Sequence, residues 1–244
     1  MINQTISDIH FNADFDSGNL EYVVSKELVK YSNKNFDNAE YSYLKKNDRI
    51  FYLKTRNDAK GEIHESSSRS WFHFSIKNNL SSKELNVTLH LADLNKHLKL
   101  YQQGLRPVIR SSGTVFKPHG DFCPVNFNEK GWKRWKGKFP LAYGNTEDDG
   151  FCISINLTLQ PGIYYYLAYC YPWSYQSSIK FCTLLENSYL AKSGLGQYFL
   201  DGSSGEINQS NLIDLPDNLF LRVEDFCQSY QGRTCRGLGS SPPP

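Results

Sequence analysis

Short runs in which apolar and polar residues alternate fill much of the first two thirds of the chain. In the runs 85–91 and 152–159, aliphatic residues recur at every second position, with Asn, Thr, Ser or His between them. A period of two is typical of a strand that packs one face on a core, so we expect the polar faces to point to water. The run 71–76 alternates in the same way, and shorter apolar runs at 20–24 and 50–53 are also predicted to be strands.

Turn-forming pairs such as Gln103-Gly104 and Pro161-Gly162 separate these runs, and no long helix intervenes. Frequent short strands with turns between them predict an all-β fold, namely an antiparallel β-sandwich. We place this domain at residues 11–175.

The pattern changes after the sandwich. Apolar residues recur at helical spacing between Ile179 and Tyr189, and the serines at 177–178 are candidate N-caps. We therefore predict a short C-terminal extension of helix and loop over residues 176–236. The last residues, 237–244, are rich in Gly, Ser and Pro, and we expect them to be a disordered tail.

The composition agrees with a β-rich globular protein. The chain has 244 residues, of which 14% are aromatic and 39% hydrophobic, and the hydrophobic share excludes wholesale disorder. Lys and Arg number 27 against 25 Asp and Glu, so net charge alone indicates neither a nucleic-acid nor a membrane partner. The N-terminus does not resemble a secretion signal, and the longest apolar run, 163–170, is too short to span a bilayer. We expect a cytoplasmic protein with six free Cys.

Candidate metal ligands are scattered along the sequence. His90 and Asp93 have the spacing of a helical ligand pair, but His90 lies in a predicted strand, so we expect it to face solvent, with Asp93 on the opposite face. The run 119–123 offers His, Asp and Cys without a partner at suitable spacing, and a structural loop is the alternative. Cys227 and Cys235 have seven residues between them, which fits neither a zinc knuckle nor a redox pair. We predict no metal site in this chain.

Motifs for nucleophilic catalysis and phosphate binding are also missing from the sequence. It contains neither Gly-x-Ser-x-Gly nor Gly-x-x-x-x-Gly-Lys, and no Gly-x-Gly-x-x-Gly follows a strand. We assign no catalytic residue and no cofactor to the chain itself.

The densest basic cluster combines five cations and two indole rings within nine residues. The cations are Lys130, Lys133, Arg134, Lys136 and Lys138, and the indoles are those of Trp132 and Trp135. Such a cluster is suited to an acidic peptide, or to single-stranded nucleic acid, whose bases would stack on the rings. The alternative is an edge strand whose Trp pack inward while its cations are solvated and prevent sheet pairing.

An aromatic run at 164–175 is the most unusual feature of the sequence. Its first half suits a buried strand, and its second half leaves the sheet at Pro172 with Tyr171, Trp173 and Tyr175 in a loop. Large amphipathic rings in a loop are typical of interfaces. A hydrophobic plug over the end of the sandwich is the alternative.

Five stretches of the sequence carry a family resemblance. They are FDSGNL at Phe15–Leu20, WFHFSI at Trp71–Ile76, LYQQGLRP at Leu100–Pro107, GWKR at Gly131–Arg134 and LAYCYPWSY at Leu167–Tyr175. Together, and in this order, they resemble the N-terminal domain of the cytosolic carboxypeptidases, zinc enzymes that remove glutamates from tubulin and other acidic protein tails.

The resemblance implies a β-sandwich that packs on a following carboxypeptidase domain. In the family that second domain carries the zinc ligands, in a His-Pro-Gly-Glu motif with a later His, together with the catalytic Glu. No position of this sequence matches that motif, and fewer than a third of the residues follow Tyr175. We therefore expect a truncated, non-catalytic accessory domain without zinc of its own, whereas a full-length family member would bind zinc.

The resemblance also suggests which residues matter. Candidates for holding the domain junction near the mouth of the active site are Arg106, Pro107, Tyr169, Tyr171, Pro172 and Tyr175. The expected partners are a carboxypeptidase catalytic domain and, through it, tubulin or other acidic tails, and no membrane. The alternative function is a stand-alone binding module that uses the basic cluster for acidic tails or, less in keeping with the resemblance, for nucleic acid.

Overall fold

The computed structural model describes residues 1–26, 49–112, 131–137, 141–143, 150–193, 215, 220–229 and 232–241. The chain divides into two compact units, Met1–Pro172 and Trp173–Pro244. Cys123, Lys130, Lys138 and the His of the run 119–123 lie outside the described residues.

The described part of the first unit contains eleven strands and one short helix. They are β1 (Asn3–Ile6), β2 (Ile9–Asn12), β3 (Tyr22–Ser25), β4 (Arg49–Lys54), β5 (His73–Asn78), β6 (Leu85–Leu94), α1 (Leu98–Gln102), β7 (Val108–Ser112), β8 (Lys133–Arg134), β9 (Leu141–Tyr143), β10 (Phe151–Leu159) and β11 (Tyr164–Ala168).

The strands form two sheets. The first has six strands in the order β1-β2-β5-β11-β7-β8, and the second has five in the order β3-β4-β6-β10-β9. Every pair is antiparallel except β4 and β6, which run parallel. A parallel pair needs a crossover connection, and here the chain makes it through β5, a strand of the other sheet.

A continuous apolar layer between the sheets forms the core. Leu89 of β6 lies opposite Ile155 of β10, and both are fully buried. The rings of Phe11 on β2 and Phe51 on β4 meet edge to face across the layer, with centroids 5.1 Å apart. The predicted antiparallel β-sandwich is confirmed, because one apolar face of each sheet packs against the other.

The first two strands and β7 were not predicted from the sequence. β1 and β2 are four residues each, too short for alternation to stand out. Ile9 and Phe11 of β2 are nonetheless fully buried in the core. The sandwich therefore starts nearer the N-terminus than residue 11.

The expectation that the polar faces point to water is wrong at the centre of both sheets. Ser75, Thr88 and His90 are fully buried, and His73 is 2% exposed, although all four lie on outer faces. Their neighbours cover them: the ring of Tyr52 stacks on His90 with centroids 5.1 Å apart. Alternation shows which face of a strand a residue lies on, but it does not show what packs outside the sandwich.

The second unit combines a helix and a hairpin. Its elements are α2 (Tyr175–Ser193), β12 (Phe220–Gln228) and β13 (Thr234–Ser241). The N-cap of α2 is Ser174 and not Ser177 or Ser178, because the hydroxyl of Ser174 accepts a 3.1 Å hydrogen bond from the Ser177 amide.

The hairpin corrects the prediction for the C-terminal extension. Residues 176–236 were predicted as helix and loop, with a second short helix or a strand as open alternatives for 212–226, and β12 pairs with β13 in an antiparallel ladder. The strand β13 includes residues 237–241, which were predicted to be disordered from their Gly and Ser content. Main-chain pairing with β12 orders this segment, although its composition is typical of a disordered one.

His90 should make the stability of the first unit depend on pH. Burial, helped by the charge of Lys26, lowers the pKa of His90 to about 4, whereas the unfolded chain has a pKa near 6.5. The unfolded state therefore binds the proton more tightly, and stability is complete above about pH 6.5 and falls towards pH 4. The shift corresponds to about 3 kcal/mol.

Urea unfolding at several pH values measures this effect. His90→Gln should flatten the pH dependence between pH 4 and 6.5, whereas the same change at the exposed His64 should leave it as in the parent chain. A slope that persists in His90→Gln would show that another group is responsible.

Candidate interaction surface

The basic cluster forms one edge of the six-stranded sheet. β8 is the last strand of that sheet, and the side chains of Lys133, Arg134 and Lys136 are exposed. In the described part of the chain no carboxylate forms an ion pair with any of the three. We call these three residues, together with the half-buried Arg106, the basic strip. Lys130 and Lys138 are outside the described residues.

Trp135 anchors the basic strip in the core. It is 4% exposed, and its indole N–H donates a 3.2 Å hydrogen bond to the carbonyl of Asn156 on β10, a strand of the opposite sheet. Its main-chain N–H donates to the carbonyl of Pro107, at 2.9 Å. A side chain at Gly137 would overlap the Trp135 ring, so glycine is required there. For Trp135 this is the arrangement that the edge-strand alternative predicts, whereas Trp132 does not pack inward but lies beside Arg110 and His73.

Arg106 and Arg134 connect the strip to the predicted junction residues. The guanidinium of Arg134 donates a 2.8 Å hydrogen bond to the carbonyl of Arg106 and lies 5.3 Å from the centre of the exposed Tyr171 ring. The guanidinium of Arg106 donates to the carbonyl of Gly137, at 3.1 Å. The structure therefore brings Arg106, Pro107 and Tyr171 together with the basic strip.

Tyr169 lies at the inner end of the same segment. Its ring contacts those of Phe72, His97 and Tyr101, with centroids 5.7 to 6.4 Å apart. Burial raises the pKa of Tyr169 above its usual value, and the neighbouring Cys170 adds to the effect. Tyr169 therefore stays neutral and packs as an aromatic residue.

The remaining two junction candidates lie at the boundary between the units. Pro172 is the last residue of the first unit. Tyr175 begins α2 in the second unit, where its hydroxyl donates to the carbonyl of Thr234, at 3.4 Å. Their role at a junction stays a prediction.

A buried cation that the sequence did not single out lies on the outer face of the six-stranded sheet. Arg110 of β7 is 7% exposed, and its guanidinium lies 4.9 Å from the Tyr166 ring centre and 5.6 Å from that of Trp132. Two π faces next to a desolvated cation stabilise it more than they would at an exposed site. Tyr166 lies on β11 at the centre of the sheet, and Trp132 immediately precedes β8 at its edge. The contacts of Arg110 with both rings therefore connect the centre of the sheet to its edge.

The ring of His73 lies next to Trp132 on the same outer face of the sheet. We call Arg110, Tyr166, Trp132, His73 and Phe15 the outer cluster. Its Nδ1 lies 3.1 Å from the Ser17 hydroxyl, and its ring centroid lies 4.8 Å from that of Phe15 and 5.7 Å from that of Trp132. The indole N–H of Trp71 donates a 2.8 Å hydrogen bond to the carbonyl of Ser17. All five stretches that carry the family resemblance therefore contact one another or the basic strip.

The described residues contain no group of three His, Cys, Asp or Glu that could hold a metal ion. His90 is hydrogen-bonded at Nδ1 to the Ser154 hydroxyl, at 2.7 Å, and Asp93 forms a 2.8 Å ion pair with Lys54. The expectation that His90 faces solvent is wrong, because Tyr52 covers it. Within the described part of the chain, no helix is long and apolar enough to cross a membrane.

Curated relatives of the chain are carboxypeptidase-like proteins. The chain is 28% identical to cytosolic carboxypeptidase-like protein 5 of Danio rerio over 238 residues, which are 93% of this chain and 23% of the relative. It is 27% identical to the Bos taurus protein of the same name, with the same shares covered. Cytosolic carboxypeptidase 2 of Xenopus tropicalis is 25% identical over 70% of this chain and 14% of its own length.

Two further comparisons add little. No protein-family model matches the chain. A metallo-carboxypeptidase from Pseudomonas aeruginosa, solved in complex with (2-guanidinoethylmercapto)succinic acid, aligns over 93% of this chain and 39% of its own, with 18% identity and a TM-score of 0.40. A similarity at that level carries no argument about the fold.

The chain is thus a β-sandwich protein homologous to a segment of larger carboxypeptidase-like proteins. Those relatives are the cytosolic carboxypeptidases, which confirms the resemblance inferred from the five stretches. The chain spans less than a quarter of the length of the curated relatives it matches.

The same substitution at two arginines tests whether the buried cation matters. Arg110→Lys keeps the charge but removes the planar guanidinium from between two rings, and we expect a loss of about 2 kcal/mol in unfolding free energy. Arg134→Lys removes a similar contact from the exposed Tyr171 and should lose less than about 1 kcal/mol. Urea denaturation measures both, and equal losses would contradict the role given to Arg110.

Proposed function

We propose that the chain is the non-catalytic N-terminal accessory domain of a cytosolic carboxypeptidase. The supporting observation is the homology itself, which extends over 93% of this chain but only 23% of the relatives. A segment that makes up 23% of a relative has the extent of a single domain of that larger protein. In keeping with the names of the relatives, the proposed location is the cytoplasm.

The proposed activity of the complete protein is zinc-dependent removal of glutamates from the tails of tubulin or other acidic proteins. Zinc supplies a polarised, activated water in such hydrolysis. In keeping with the family resemblance, we assign zinc and its chemistry to the catalytic domain. This chain contributes a folded sandwich and a surface.

The surface proposed to meet the catalytic domain lies around Tyr171. Its ring is 36% exposed yet held by the guanidinium of Arg134, which itself donates a hydrogen bond to the carbonyl of Arg106. An aromatic ring kept rigid at the surface loses little conformational freedom on binding. This is why Tyr and Arg are frequent among the residues that dominate interfaces.

A complementation assay tests the proposal. The chain is mixed with the remainder of the Danio rerio relative, from which the homologous segment has been deleted, and glutamate release from a peptide ending in several glutamates is measured. We expect no release by the chain alone and recovery of release with the remainder. Release by the chain alone that a chelator abolishes would overturn the non-catalytic assignment.

Two exposed tyrosines provide a matched test of the surface. Tyr171→Ala should weaken binding to the remainder at least about tenfold, which is about 1.4 kcal/mol. Tyr22→Ala, at a residue that is 54% exposed on β3, should leave binding unchanged. Equal affinities for the two variants would place the interface elsewhere.

A stand-alone binding module for acidic tails is the second candidate function. The observation in its favour is the exposed positive charge of Lys133, Arg134 and Lys136 along one sheet edge, with which no carboxylate of the described residues forms an ion pair. A surface of one sign attracts a partner of the other sign, and salt screens that attraction.

Charge reversal tests this candidate. Lys133→Glu/Arg134→Glu should lose salt-sensitive retention on a glutamate-rich tubulin tail, whereas Lys83→Glu/Lys96→Glu, equally exposed but outside the strip, should retain it. Equal retention of the two variants removes the candidate. Stronger retention on RNA than on the tail would favour nucleic acid instead.

A further inference from the structure

The hairpin of the second unit brings two cysteines into register. Cys227 on β12 is the cross-strand partner of Cys235 on β13. Near the hairpin end the amide of Ser229 donates a 2.7 Å hydrogen bond to the carbonyl of Arg233. Hydrogen-bonded pairs recur at every second residue, so Cys227 and Cys235 also form such a pair, with Cα atoms about 5.5 Å apart. Disulfides bridge Cα atoms about 4.4 to 6.8 Å apart, and this separation lies within that range.

Both thiols are accessible and reduced. Each is exposed, and neither forms a disulfide. The thiol of Cys235 lies 3.8 Å from the carbonyl of Arg233, to which it donates. Because directly opposite residues of an antiparallel pair lie on the same face, the two thiols share one face of the hairpin. The side-chain hydrogen bond with Cys227 raises the pKa of Cys235, with burial a smaller cause.

The other described cysteines differ in this respect. Cys152 and Cys170 are half-buried and Cys182 is buried. Their positions, on β10, after β11 and within α2, give none of them a cross-strand cysteine partner among the described residues. A cysteine at the cross-strand position therefore distinguishes Cys227 and Cys235 from the other described cysteines.

We propose that Cys227 and Cys235 are a dithiol modification site that closes reversibly to a cross-strand disulfide. The co-substrate is a low-molecular-weight disulfide of the glutathione type. The thiolate of one cysteine attacks a sulfur of this disulfide, forming a mixed disulfide and releasing one small thiol. The thiolate of the other cysteine then attacks the protein sulfur of the mixed disulfide, which closes the bridge and releases the second small thiol.

The overall step conserves atoms and electrons. The two cysteines lose two protons and two electrons, and the small disulfide gains them as it becomes two thiols. An excess of the small thiol reverses the reaction.

The bridge would stiffen the part of the hairpin that contacts α2. Arg233 and Thr234 lie directly before Cys235, and both contact Tyr175: the guanidinium of Arg233 lies 5.2 Å from its ring centre, and the carbonyl of Thr234 accepts from its hydroxyl. The redox state of the dithiol would therefore change the contacts of Tyr175, one of the predicted junction residues.

Mass spectrometry after equilibration in mixtures of oxidised and reduced glutathione tests the site. Trypsin cleaves after Arg233 and separates the two cysteines, so a peptide pair that joins only under non-reducing conditions reports the bridge. Because a short tether gives an effective concentration in the millimolar range, the intrachain bridge should exceed links between micromolar chains about a thousandfold.

Two variants make the outcome specific to the hairpin register. Cys227→Ser should stop at the mixed disulfide on Cys235. Cys227→Ser/Gln228→Cys places the new thiol opposite Thr234 on the other face of the hairpin, and should also fail to close. Cys152→Ser is the control and should close as the parent chain does.

Some results would overturn the proposal. They are a parent chain that remains at the mixed disulfide, a bridge from either cysteine to a third one, or equal closure when the thiol is moved to position 228. Circular dichroism of each variant shows that the fold is retained, so that failure to close reports on the thiols.

Discussion

The edge of the sandwich depends on one buried cation. A guanidinium removed from water is strongly unfavourable unless its surroundings compensate it. Arg110 is compensated in part by the π faces of Tyr166, at the centre of the six-stranded sheet, and of Trp132, next to its last strand. Since β8 is only two residues long, its few main-chain hydrogen bonds cannot hold it alone, and the side chains of Trp132 and Trp135 fix its place.

The exposed surface follows from these buried contacts. With Trp135 in the core, Lys133, Arg134 and Lys136 lie in solvent at the sheet edge, and Arg134 holds the ring of Tyr171. The basic strip and Tyr171 thus form one surface of the first unit, which the contacts of Arg110 and Trp132 position. For a domain that spans under a quarter of its relatives, such a prearranged surface suits attachment to a larger partner.

The sequence predicted the parts of the fold where alternation is strict and failed where other forces decide. β6 and β10 were found because four aliphatic residues recur at period two in each, whereas β1 and β2 are too short for that signal. The burial of His90 and Arg110 depends on side chains distant in sequence that cover the outer faces. Cys227 and Cys235 are eight positions apart, and only the hairpin register makes them neighbours. The basic residues of the candidate surface were found from their density in the sequence and the junction candidates from the family resemblance, whereas their contacts with one another came from the structure.

Hydrogen exchange at the Trp135 amide tests most directly whether the buried cation holds the sheet edge. This amide donates to the carbonyl of Pro107, so it exchanges only when β8 opens. In Arg110→Lys we predict exchange at Trp135 at least about tenfold faster than in the parent chain, with the Leu89 amide in the other sheet unchanged. Unchanged exchange at Trp135, or equal acceleration at both amides, would contradict the account.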